Sequence, residues 1–302
     1  MPTPRPVDGE LLVQVSAAGI NFADLLQVED TYLAPTSLPF VPGVEVVGQT
    51  ADQRRVAAIV PSGGYAEQAV VASPMAVEVP ETVSDEQALG VLVQGVTAWH
   101  LLRTSAAMRE GESVVVHAAG GGVGTQAIQL ARRWGAGRVI AAASTDEKRN
   151  LALELGADAA IDSRAPNLTE ALEEANLGRR VDIVLESSGG RVLDASVEAL
   201  APFGRLITYG YANGLAAQSL EPIGLLRRSR GVVGFWLAHC FRRPEMLTEP
   251  IRKLLSMIGE GSLRVVSGGR YSLAEARQAH LDLRGRATSG KLVLTANGAA
   301  PN

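Results

Sequence analysis

The chain has 302 residues, 46% of them hydrophobic, with a net charge of −4 and a single cysteine. That length and apolar content support one large domain or two with an ample core. The mild negative charge gives no footing for nucleic acid or an anionic membrane, and a lone Cys240 leaves no intramolecular disulfide and no cysteine-based zinc site.

The opening MPTPRPVDGE lacks the apolar core of a secretory signal, and no apolar stretch is long enough to span a bilayer. The expectation is a soluble cytoplasmic protein. Up to about residue 95 the texture is β-rich. Short β-prone runs at 11–15, 44–47, 56–60 and 69–71 are punctuated by Gly, Pro and Ser, as in Pro61-Ser62-Gly63-Gly64. From Ser84 a helical segment runs through Leu89, Leu92 and Val93 toward Trp99 and Leu102.

Between 113 and 236 strands and helices alternate. Near-continuous apolar strands are predicted at 114–117, 139–143, 159–161, 181–185, 206–209 and 232–235. Ala127, Leu130, Ala131 and Trp134 mark one apolar helix face. Ser144 and Glu147 have capping-box spacing at the next helix start, and Gly156 stands where that helix should end. Six such strands with intervening helices predict an α/β doubly wound, parallel six-stranded sheet. A Leu- and Met-rich helix (246–258), a short β segment, a helix at 273–283 and a last strand at 291–294 follow. One strand cannot make a domain, so the C-terminal segment is expected to fold back onto the N-terminal β region. The division is then 1–93 with 242–302 as the substrate domain and 94–241 as the dinucleotide domain.

The most informative motif is Ala118-Ala119-Gly120-Gly121-Gly122-Val123-Gly124, after the apolar Val114-Val115-Val116 and before a helix. Glycines there let backbone N–H groups approach a pyrophosphate, which the helix N-terminus also favours. An NAD site would place an acid at the tip of the second strand, ~20 residues on, to bind the ribose 2′-OH. Here that tip is Ala143-Ser144-Thr145, with Lys148 one helical turn later. An acid would repel a 2′-phosphate, whereas a hydroxyl and a lysine welcome it. NADPH is therefore the expected cofactor.

With Gly111-Glu112-Ser113, that motif resembles the zinc-independent medium-chain dehydrogenase/reductases, and most of all their NADPH:quinone oxidoreductase (zeta-crystallin-like) group. Further matches are Ala18-Gly19-Ile20-Asn21-Phe22-Ala23-Asp24, Pro42-Gly43-Val44-Glu45, Gly63-Gly64-Tyr65-Ala66-Glu67, Gln94-Gly95-Val96-Thr97-Ala98, Leu155-Gly156-Ala157-Asp158 and Ser289-Gly290-Lys291-Leu292-Val293-Leu294. The resemblance implies a GroES-like β domain beside a Rossmann domain, and a homodimer formed through the Rossmann edge strand, here 232–236. Zinc-dependent members supply a Cys in the 19–24 stretch and a His between Gly43 and Glu45; here Asn21 and its neighbours and Val44 stand there, so no metal site is expected. Two departures fall in the β domain: the chain begins at the Pro-x-Pro segment, and 47–56 is short. Both bear on the substrate rather than on the cofactor.

By the same resemblance, Asn21 and Tyr32 are the candidate catalytic residues. Asn21 would donate an amide hydrogen bond to the acceptor oxygen or the cofactor. Tyr32 would orient the cofactor or donate a hydrogen bond or a proton. Thr97, Tyr209, Gly210, Phe235 and Trp236 would line the nicotinamide pocket, and Lys291 would lie near the cofactor. His117 reads as a packed strand residue, and His100, His239 and His280 have no partners that the sequence reveals. The expected reaction is metal-free hydride transfer from NADPH to a quinone or conjugated carbonyl. Two alternatives stand beside it. One is an enoyl reductase of polyketide or secondary metabolism, disfavoured by the turn Gly210-Tyr211-Ala212-Asn213-Gly214, which lacks a lysine. The other is a protein that binds NADPH without turnover.

Overall fold

The structure, a computed structural model, describes residues 3–212, 214 and 220–296. The chain forms two units, Met1–Val96 with Ala238–Asn302, and Thr97–Leu237.

The first unit starts with the long strand β1 (Glu10–Ile20) and the short helix α1 (Phe22–Val28). Strands β2 (Glu45–Thr50), β3 (Arg55–Ile59), β4 (Gln68–Ala72) and β5 (Val77–Glu78) follow. β1 pairs antiparallel with both β2 and β4, and its register against β2 slips between Val15 and Ala17. Val13, Val15, Ala17 and Ile20 of β1 and Val46 and Val47 of β2 are buried. Helix α2 (Asp85–Gly90) opens with a capping box between Ser84 and Gln87. A π-turn (Val91–Gly95), α3 (Val96–His100) and a second π-turn (Leu101–Ser105) continue the helical run that the sequence predicts.

The second unit alternates without exception up to its last strand. β6 (Ser113–His117), α4 (Gly122–Arg133), β7 (Arg138–Ala143), α5 (Asp146–Glu154), β8 (Ala159–Asp162), α6 (Leu168–Ala175), β9 (Val181–Glu186), α7 (Gly190–Ala199), β10 (Leu200–Thr208), α8 (Pro222–Arg228) and β11 (Gly231–Gly234) come in turn. The strands order as β11-β10-β9-β6-β7-β8, and every pairing is parallel. Val114, Val115, Val116 and Ile140 are wholly buried, as strands covered on both faces require. Strand order reverses between β6 and β9, and a sheet of this type offers its ligand crevice at the carboxyl ends of the strands at such a point. Two local expectations shift. β10 begins at Leu200 and stops at Thr208, so Tyr209 lies in the loop beyond it. The N-cap of α5 is Thr145 rather than Ser144: the Thr145 hydroxyl accepts the Lys148 N–H. Ser144 is thereby left outside the cap.

The chain then returns to the first unit with α9 (Glu245–Gly259), β12 (Ser267–Ser272), α10 (Ala276–Arg284) and β13 (Lys291–Thr295). β13 lies antiparallel to β1, with Gly19 opposite Val293 and Ile20 opposite Leu292, and parallel to β12. The C-terminal segment thus completes the N-terminal sheet. Its apolar residues Leu292, Val293 and Leu294 are buried there.

Candidate functional site

The turn after β6 is built for close backbone approach. Ala118 takes φ +49° and its carbonyl accepts the Gly121 N–H at 2.8 Å. A Cβ on Gly124 would stand 2.5 Å from Ala118 O and 2.8 Å from Ala119 Cα, both backbone atoms, so only glycine lets α4 start this close to β6. The turn Gly120-Gly121-Gly122-Val123-Gly124 therefore sets the α4 N-terminus against the carboxyl end of β6, where α4 has no side-chain cap. The N–H groups of the first turn of α4, which have no carbonyl partner within the helix, are of the kind that suits an anion. Half-buried Ser144 follows the end of β7, and Lys148 lies in the first turn of α5 with its stem over Gly120.

Five residues of the same unit were expected near a nicotinamide. Thr97 is buried in α3. Tyr209 and Gly210 follow β10, and the Tyr209 N–H donates to Glu186 O at 3.0 Å. Burial pushes the Tyr209 phenol up to about 12, against a hydrogen bond to Ser187. Phe235 follows β11 and donates its N–H to Thr208 O; its ring stacks on His100 with centroids 5.8 Å apart. Trp236 comes next and is half-buried. Asn213, in the turn used against the enoyl reductase reading, lies outside the described residues. His100 gains a second partner, Thr104 Oγ1, 2.8 Å from its Nδ1. His117 is buried with Nε2 2.8 Å from Ser196 Oγ, and desolvation lowers its pKa to about 4, so it is a neutral packed residue.

The first unit holds a buried polar cluster around Asn21, the N-cap of α1. The Asn21 N–H donates to Asp24 Oδ2 at 2.7 Å, and its Nδ2 donates to Glu45 Oε1 at 2.7 Å. Lys291, expected beside the cofactor, is 1% exposed, and its ammonium donates to Ile20 O, Asn21 Oδ1 and Glu45 Oε1. An ammonium has three donors, and these three partners use them all. Tyr65 OH lies 3.3 Å from Asp24 Oδ2 and 3.1 Å from His280 Nε2. Burial raises the Asp24 pKa to about 7, opposed by the Asn21 N–H, and the Glu45 charge adds to the rise. Tyr32 is half-buried in the segment between α1 and β2. Cys240 is buried and desolvation raises its pKa, which is the environment of an inert thiol.

Sequence reasoning missed Asp24, Tyr65 and His280 as one cluster, because positions 24, 65 and 280 share no local pattern. It also missed Glu186, a buried carboxylate at the end of β9 that accepts the N–H groups of Ser188 and Gly189 at the start of α7. The Gly189-Gly190 pair beside it was the available signal. Among the described residues, no group of three or more His, Cys, Asp or Glu is placed to hold a metal ion, and no helix is long and apolar enough to cross a membrane.

A parallel α/β unit with a glycine cradle at its switch point, joined to a GroES-like β unit, defines a dehydrogenase-type dinucleotide fold. Two family models match the chain, "Zinc-binding dehydrogenase" over residues 122–256 and "Alcohol dehydrogenase GroES-like domain" over residues 7–54. A quinone oxidoreductase of Pseudomonas aeruginosa is 33% identical, covering 96% of this chain and 92% of that protein. The Thermus thermophilus quinone oxidoreductase, solved alone and with NADPH, is 39% identical with a TM-score of 0.87, covering 98% of this chain and 94% of that one. The Escherichia coli quinone oxidoreductase, solved with NADPH, is 30% identical with a TM-score of 0.90 and the same coverages. The chain belongs to the quinone oxidoreductase family of medium-chain dehydrogenase/reductases.

Proposed function

We propose that this chain is an NADPH-dependent oxidoreductase that reduces a quinone or a conjugated carbonyl without a metal. The observation that carries the reading is the glycine cradle after β6 with Lys148 over it and no acid at the tip of β7. The solved relatives that carry NADPH support it.

The residues fit the cofactor. The backbone of Gly120, Gly121, Gly122, Val123 and Gly124 holds the pyrophosphate, and the absence of a Cβ at Gly124 lets α4 start close enough to β6 to present that turn. Ser144 and Lys148 receive the 2′-phosphate, one by hydrogen bond and one by charge. Thr97, Tyr209, Gly210, Phe235 and Trp236 orient the nicotinamide. Bound NADPH supplies a hydride to the acceptor. Asn21 places an amide N–H toward the acceptor oxygen, where negative charge develops, and Tyr32 donates a hydrogen bond or proton as a neutral phenol. Asn21 and Val44 stand where zinc-dependent relatives place ligands, which supports a metal-free reaction. The protein is read as a cytoplasmic homodimer that pairs through β11, one of the two edge strands of its sheet.

Oxidation of NADPH, followed by nicotinamide absorbance against panels of quinones and enoyl thioesters, tests this reading. Quinone turnover is expected. Preference for the thioesters would favour the enoyl reductase alternative, and tight NADPH binding with no turnover of either panel would favour the non-catalytic one.

A further inference from the structure

Asn21 sits in a clamp assembled from three distant parts of the chain. Its Nδ2 donates to Glu45 Oε1 at 2.7 Å, and its Oδ1 accepts from Lys291 Nζ at 3.2 Å. Glu45 is held in turn: Oε2 accepts the Val93 N–H at 2.8 Å, and Oε1 is paired with Lys291. Asn21 is 5% exposed, Lys291 1% and Glu45 wholly buried. Gly19 makes room for the pair, since a Cβ there would collide with Glu45 Oε1 and stand 2.7 Å from Lys291 Cε.

The chemistry of the clamp fixes which way the amide faces. A carboxylate only accepts and an ammonium only donates. A flipped Asn21 would turn its carbonyl oxygen onto Glu45 and its NH2 group onto Lys291, two repulsive contacts in a low-dielectric setting. Two of the four bonding places of the amide are therefore committed. One N–H remains for a ligand, on an amide whose carbonyl is polarised by Lys291.

We propose that Glu45 and Lys291 are positioning residues that hold the Asn21 amide so that its free N–H is presented to substrate. The site then favours substrates that bring an oxygen acceptor, as a carbonyl or quinone does, over those that bring a hydroxyl or amine donor. This rests on the reading that Asn21 meets the acceptor oxygen. Neither Glu45 nor Lys291 touches substrate; both act through Asn21.

Removing one charge alone would strand the other in the core, so the test variant is the neutral pair Glu45→Gln with Lys291→Met. The expected result, in a protein that keeps its unfolding cooperativity, is a kcat for quinone reduction lowered about 10- to 100-fold, while KM for NADPH changes less than about 2-fold. A general structural role would move both constants and the melting temperature together. A kcat within about 2-fold of wild type, alongside a kcat at least about 10-fold lower in Asn21→Ala, overturns the clamp and leaves the role of Asn21 standing. An Asn21→Ala enzyme with unchanged kcat overturns the reading of Asn21 and the clamp with it. A second measurement needs no change to the pair. In nitrogen-15-labelled wild-type protein, the Asn21 side-chain amide, assigned by its loss in Asn21→Ala, is expected to show one proton protected from solvent exchange by Glu45. Two equally fast-exchanging protons overturn the proposal.

Discussion

Lys148 lies across Gly120: a Cβ on that glycine would stand 2.8 Å from Lys148 Cγ and 2.9 Å from its Cβ. The contact ties the first turn of α5 to the turn after β6. It thereby sets a lysine of the second strand–helix unit beside the cradle of the first. For Lys148→Ala we expect NADPH affinity to fall about 10- to 100-fold, the worth of a charge-assisted phosphate contact. NADH affinity should change less than about 2-fold, since the two cofactors differ only in the 2′-phosphate. Fluorescence titration with each cofactor checks this, and equal losses would remove Lys148 from the 2′-phosphate site.

Gly124 faces backbone at Ala118 O and Ala119 Cα, and neither atom can swing aside. Gly124→Ala should therefore cost about 1–3 kcal/mol of stability as an overpacked turn, and it should weaken NADPH binding as well. Gly224, in α8, has open space around its missing Cβ. Gly224→Ala is the control, with stability unchanged or raised by up to about 1 kcal/mol. Urea unfolding with and without NADPH separates the two effects.

Asp24 and His117 set opposing pH dependences. The Asp24 pKa rises from 3.8 to about 7 on folding, so the folded state binds the extra proton and stability falls as pH climbs from 4 toward 7. The His117 pKa drops from 6.5 to about 4, so its contribution is present above 6.5 and is lost as pH falls toward 4. Each is worth a few kcal/mol, on the order of 1.4 per pH unit, and over 4–6.5 they offset each other. Relative to wild type, Asp24→Asn should lose stability more steeply as pH falls through this window. His117→Gln should lose it more steeply as pH rises. Denaturant titrations at a series of pH values decide the point, and parallel curves for all three proteins would refute it.

β11 is one of the two edge strands of its sheet, and Val233 on it is 37% exposed. A lysine on an edge strand opposes pairing with a second edge. Val233→Lys should therefore shift the proposed dimer to a monomer, read as a halved mass by light scattering. A dimer that persists would place the interface elsewhere.

Neither added Zn²⁺ nor a strong chelator should alter quinone reduction, because Asn21 and Val44 occupy the places where zinc-dependent relatives bring ligands. Turnover that depends on a metal would overturn the metal-free mechanism.

Much of the architecture was legible from the residues. The apolar strands at 114–117, 139–143 and 181–185 differ from β6, β7 and β9 by one residue at an end, because strands buried on both faces carry an unbroken apolar signal. The cap of α5 was misplaced by one residue because Ser144 and Thr145 are both competent caps, and only backbone geometry chooses between them. The candidate site was read less completely. Asn21 was legible through a family motif. Its partners Glu45 and Lys291 were not, because a buried ion pair leaves no periodic trace in a sequence. A family motif marks Lys291 as a site residue, but only the structure shows that its ammonium pairs with Glu45 and Asn21.

The sequence by itself determined the α/β alternation, the return of the last strand to the first sheet, the glycine cradle and the absence of an acid at the tip of β7. These features depend on residue type and local spacing: hydrophobic period, turn glycines and a single strand-end position. Only the tertiary structure decided that residues 21, 45 and 291 form one clamp, that 24, 65 and 280 form another cluster, and that the Lys148 stem covers Gly120. Each of these joins side chains through space across strand pairings and loop closures. The reason is the β1–β2 and β1–β13 registers, which bring Glu45 and Lys291 beside Gly19–Asn21 from segments far apart in the chain.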